Sequence, residues 1–159
     1  MTATHELADT SKTWIYQSDR AFTQAEAIEI QNHINVFCKN WVSHSNELKA
    51  AGQLVQNRFI VLMVDESNAG ASGCSIDKSV HFIKSIGSNY QINMFDRMNF
   101  AYQMEGEVKT AHREEFVELY NSNVINDETL VFDNLISNKA AFEKEWIKPL
   151  KDSWHSRLV

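Results

Sequence analysis

"MNFAYQMEGEV", residues 98–108, decides between a parallel and an antiparallel sheet. Met98, Phe100, Tyr102 and Met104 fall at alternate positions, the period of a half-buried strand. Glu105-Gly106-Glu107 then turns the chain into a short return strand through Val108. Such a hairpin has no place in an all-parallel sheet, whose crossovers need a dozen or more residues. The fold class predicted is α+β, with one mixed, mostly antiparallel sheet and helices packed against it.

Working outward, Phe59 to Val64 form an unbroken apolar run with the length and β-branching of a central strand covered on both faces. Trp14 and Tyr16 alternate with Ile15 in a shorter strand over 13–18. Thr23 and Glu26 then have the spacing of a capping box, so a helix is predicted to start there. Ala27, Ile30, Ile34, Phe37, Cys38 and Trp41 give it one apolar stripe ending near His44. The stretch "SNELKAAG", 45–52, reads as a loop or a single turn. Ile76, Val80, Ile83 and Ile86 mark a second helix with Gly87 as its C-cap. Downstream, Thr110 caps a third helix carrying Phe116, Leu119 and Tyr120. A strand over 129–132 precedes a last helix from about Ser137, in which Phe142, Trp146, Leu150 and Trp154 recur every four residues around a kink or restart at Pro149. Residues 1–12 are polar and expected to be disordered, leaving 13–159 as a single domain.

The bulk properties narrow the function. A chain of 159 residues buries roughly 70% of its unfolded surface on folding, enough for a full core. Its 15 basic and 21 acidic residues give a net charge of -6, with the basic residues scattered, so no nucleic-acid partner is expected. No stretch approaches the ~20 apolar residues of a membrane span, and no apolar leader opens the sequence. Cys38 and Cys74 lie in no disulfide or zinc-ligand spacing, which fits a reducing, cytoplasmic setting and predicts no metal. Homodimerisation is left open.

The chemistry concentrates in "AGASGCSIDKSV", residues 69–80. A buried strand, a loop of Gly and Ser, and a helix follow one another here, the three parts of a phosphate cradle. Lys78-Ser79 matches the end of the GxxxxGK[ST] pattern, whereas Ser72 and Asp77 stand where its glycines belong. Asp65-Glu66, ending an apolar strand, has the form of a Walker B segment. Cys74 beside the helix start is a candidate thiolate, with His81 and His112 as candidate bases and Asp77 or Asp96 to orient one. His81 lies about two turns, some 10 Å, along the helix from it. Asp96 with Glu107 and Lys109 has the pattern of a magnesium nuclease core, and this is a third alternative.

"TWIYQSDRAFT", "NRFIVLMVDE", "AGASGCSIDKSVHFIK" and "FDRM" together resemble a family of short bacterial proteins named "ABC transporter ATPase", over most of residues 13–110. The resemblance implies ATP hydrolysis, and no site residue is carried over from it. The residues themselves favour a small anionic ligand bound at the junction 70–79 by Ser72, Gly73, Cys74, Ser75, Asp77, Lys78 and Ser79, with Arg58 or Arg97 as further charge. An enzyme at the same loop, by ATPase or Cys74 thiol chemistry, and a non-catalytic interaction module are the alternatives.

Overall fold

The computed structural model describes residues 3–41, 49–66 and 73–159, without the side chains of 73–75. Its centre is the apolar run identified above, strand β3 (Phe59–Asp65), whose first six residues are all buried. It is flanked by β1 (Lys12–Gln17) and β2 (Lys49–Val55), both antiparallel to it, giving the order β1-β3-β2. A second sheet has the order β5-β4-β6-β7, from β4 (Asn99–Met104), β5 (Glu107–His112), β6 (Leu130–Phe132) and β7 (Ile147–Pro149). The class is α+β as expected. The strands divide between two sheets rather than one, and every described pairing is antiparallel.

Alternation along β3 determines what each face meets. Ile60, Leu62 and Val64 pack under α1 (Gln24–Trp41) and α2 (Gly73–Tyr90), whose Ile30, Ile34, Ile83 and Ile86 are buried there. Val61 and Met63 point the other way, against Leu7 and Phe142. Phe59 joins the two sheets, stacked on Phe132 at 4.9 Å and edge-on to Trp146 at 5.0 Å. The second sheet is covered by α3 (Arg113–Asn121), through Phe116 against Phe100 and Tyr102.

Several local expectations are corrected. Residues 49–55 form β2 rather than a loop: Ala50 and Ala51 are weak strand formers, but both are buried, and tertiary pairing overrides propensity. A turn with Gln56 and Asn57 at positive φ, closed by Arg58 N–H to Val55 C=O at 3.1 Å, returns β2 into β3. Helix α2 runs through Gly87 to Tyr90. Thr110 pairs with Ala101 inside β5, and α3 starts after His112. The long last helix is not formed. A short α4 (Lys139–Glu145), capped by the Asn138 side chain, gives way to β7, where Pro149 has no N–H to offer a helix.

Residues 3–12, expected to be disordered, are packed. Leu7 is buried, Ala8 N–H donates to Asp65 Oδ2 at 3.2 Å, and the buried Lys139 ammonium donates to Leu7 C=O at 2.7 Å and His5 C=O at 3.2 Å. No helix among the described residues is long and apolar enough to cross a membrane.

Candidate functional site

Because β1 is the outer strand of the first sheet, one of its edges is not paired within it. Ser18 N–H donates to Arg58 C=O at 2.8 Å, which fixes the alternation of the ladder. The backbone groups of Thr13, Ile15 and Gln17 therefore point away from β3, and Thr13 N–H is taken by Ser137 C=O at 3.0 Å. Beyond this edge, between it and the second sheet, lies a cavity of about 740 Å³.

Its walls are aromatic. Trp14 and Tyr16 come from β1, Phe95 from the segment before β4, Phe100 from β4, Phe132 from β6 and Trp154 from the C-terminal region. Exposure separates the mouth from the interior: Leu135 is 69% and Phe95 41% exposed, while Phe100, Phe132 and His155 are buried. A relay closes the Gln17 side. Gln17 Nε2 donates to Asn99 C=O at 2.9 Å, Asn134 Nδ2 to Gln17 Oε1 at 3.0 Å, and Trp146 Nε1 to Asn134 Oδ1 at 2.9 Å. Each polar group there is matched, so the wall holds its shape.

Charge at the mouth is uneven. Lys12 is paired with Glu66 at 3.2 Å, and Asp96 with His112 at 2.7 Å. The exposed Arg97 has no carboxylate at ion-pair distance among the described residues. Its positive charge reaches the half-buried Tyr16 hydroxyl, whose pKa is raised by burial and partly restored by the nearby Ser79 hydroxyl and by Arg97.

Deeper in, His155 Nδ1 lies 2.6 Å from Ser153 Oγ. The imidazole stacks on Trp154 at 3.8 Å and meets Phe100 edge-on at 5.6 Å. Burial drives its pKa down to about 4, so the ring is neutral at pH 7.

The residues singled out in the sequence are only partly brought here. Ser72 lies outside the described residues, and the side chains of Gly73, Cys74 and Ser75 are not described. Asp77 and Lys78 are exposed on α2. Ser79 is buried, donates to Ile76 C=O at 2.6 Å, and lies beside Tyr16 without itself lining the cavity. Of the two arginines considered, Arg97 lines the cavity, whereas Arg58 donates to Thr110 Oγ1 at 3.4 Å. Asp96 and Glu107 stand at opposite ends of the β4-β5 hairpin: Asp96 binds His112, five residues or about 17 Å of strand from Glu107, so that nuclease pattern is not assembled. No cluster of three metal-ligating side chains occurs among the described residues. Cys38 is buried on the inward face of α1 and burial pushes its thiol up to about 12, a core residue.

His155, Asn134 and Leu135 escaped sequence reading, and Trp154 entered it only as an apolar residue of the expected last helix. They carry no motif, and only the meeting of distant segments makes them neighbours. Comparison with family models, curated proteins and solved structures matches nothing.

Proposed function

We propose that the chain is a binding module for a small organic anion with an apolar body, taken into the cavity between β1 and the second sheet. The observation that carries this reading is the cavity itself: aromatic walls around about 740 Å³, with an arginine at the mouth that has no carboxylate at ion-pair distance among the described residues. That size lies within the range of small-molecule pockets, which are mostly apolar with a few placed polar groups. The aromatic walls favour a flat or extended apolar body, and Arg97 favours a carboxylate or sulfonate over an amine. The anionic ligand read from residues 72–79 is kept, and its place is proposed to be this cavity, which Ser79 adjoins through Tyr16.

Anilinonaphthalene sulfonate, δ-phenylvalerate and a phenylalkylamine of matched length test the reading by calorimetric titration of the native chain and of Arg97→Gln. The two anions are expected to bind and the amine to bind at least tenfold more weakly, with R97Q weakening the anions about tenfold, equivalent to roughly 1.4 kcal/mol. Equal binding of acid and amine, or anion binding indifferent to R97Q, would count against it. Mg·ATP is carried as a further arm because the family resemblance implies it. A melting-temperature rise with Mg·ATP and none with phenylvalerate would turn the assignment toward nucleotide.

A further inference from the structure

Resting on that reading, we infer that the cavity takes a short peptide-like acid, an N-acylated apolar dipeptide with a free carboxylate. It adds to the edge of β1 as an extra strand and pairs with the backbone of Ile15.

The edge is already in use at one end. Lys12 bridges Asn138, with Thr13 N–H donating to Ser137 C=O and Lys139 N–H to Ser11 C=O, each at 3.0 Å. The covering segment then leaves the strand. Leu135 N–H donates to Asp133 Oδ1 at 3.1 Å and Ile136 N–H to Asp133 C=O at 3.4 Å, so these donors serve the segment's own turn. Ile15 is left with an N–H and a C=O that point away from β3 and, among the described residues, meet no hydrogen-bond partner. Ile15 and Gln17 are half-buried and line the cavity. A strand edge in that state is a template for another chain: main-chain bonds supply affinity, and the aromatic walls suit apolar side chains.

Arg97 sets the direction. Its charge reaches Tyr16, and Gln17 Nε2 donates to Asn99 C=O at 2.9 Å, so the start of β4 stands at the C-terminal end of β1. A carboxylate at Arg97 places the ligand's C-terminus at that end, parallel to β1. In a parallel pair Ile15 N–H donates to the acyl C=O, and Ile15 C=O accepts from the N–H of the C-terminal residue. From Thr13 to Gln17 the edge runs about 13 Å, room for an acyl group and two residues.

The test uses N-acetyl-Leu-Phe and its ester analogue N-acetyl-leucyl-phenyllactate, in which an oxygen replaces the N–H that faces Ile15 C=O. In calorimetric titration of the native chain the ester is expected to bind about three- to tenfold more weakly, the range of one neutral hydrogen bond. Amide exchange followed by NMR reads the same pairing from the protein side. In the free chain Ile15 N–H should exchange faster than Trp14 and Tyr16 N–H, which are bonded to β3. With the dipeptide at about ten times its Kd, Ile15 exchange should slow about tenfold. Equal affinities for amide and ester, an Ile15 N–H as protected in the free chain as its neighbours, or one unmoved by the dipeptide would overturn the inference. So would failure of the dipeptide while δ-phenylvalerate binds, and the binding module would stand in each of these cases. Failure of both acids to bind would overturn the module as well.

Discussion

His155 illustrates how one buried side chain sets a pH dependence. Burial lowers its folded pKa from 6.5 to about 4; Asp133 opposes the shift and Lys148 adds to it. Between those values the unfolded chain binds the extra proton and the folded chain does not, so stability rises with pH across the window. The contribution is complete above pH 6.5 and lost as pH falls toward 4. At roughly 1.4 kcal/mol per unit it amounts to about 3 kcal/mol. Urea melts at a series of pH values should show a fall in stability over this window that is absent in His155→Phe, and parallel curves would refute the assignment. At the same scale, the capping box was legible in the sequence: Glu26 N–H donates to Thr23 Oγ1 at 3.1 Å and Thr23 N–H to Glu26 Oε1 at 2.9 Å. Its hydrogen bonds with Arg20 hold the Glu26 carboxyl down to about 2. A cap depends on residues three apart, and so it can be read locally. The role of His155 depends on Trp154, Phe100 and Ser153 meeting in a folded core, which no local pattern encodes.

Elements were legible where their pattern matched their environment. The continuous apolar run of β3 reports burial on two faces, as the structure has it. The alternation of β4 marked only one, whereas Ala101 is buried on the opposite face from Phe100 and Tyr102, its small side chain hiding that face from the pattern. Strand β2 escaped because its inward residues are Ala50, Ala51 and Gly52, chosen for close approach rather than strand propensity. A Cβ on Gly52 would stand 2.6 Å from Ile34 Cγ2 and 2.8 Å from Leu62 Cδ2, so α1 rests almost directly on the backbone. Gly52→Ala is expected to cost about 1–3 kcal/mol through overpacking. Gly106 differs, with φ +78 in the hairpin turn and nothing within 4 Å of an added Cβ, so Gly106→Ala bears only the backbone penalty of about 1 kcal/mol. Chemical denaturation of both variants checks the order, and a G106A loss larger than that of G52A would contradict the packing. The last helix failed for the opposite reason. Phe142, Trp146, Leu150 and Trp154 all pack against buried clusters, but against different ones and through α4, β7 and two 3-10 turns, which Pro149 and the pairing with β6 impose.

At the scale of the molecule, the cavity exists because two antiparallel sheets meet at Phe59, Phe132 and Trp146 while the β1 edge is left short of the second sheet. The sequence marked β1 as aromatic, Arg97 as a candidate charge and the junction 70–79 as a candidate site; the proposed cavity lies at an edge between sheets, which no local pattern marks. The central claim is that a small organic anion enters this cavity. Its most direct test is the set of intermolecular nuclear Overhauser contacts between δ-phenylvalerate and the native chain. The account predicts contacts from the phenyl ring to Phe95, Leu135 and Trp154, with none to the exposed face of α1 at Ile28 and Val36. Contacts confined to that helix face, or to residues 72–78 without the cavity, would contradict it.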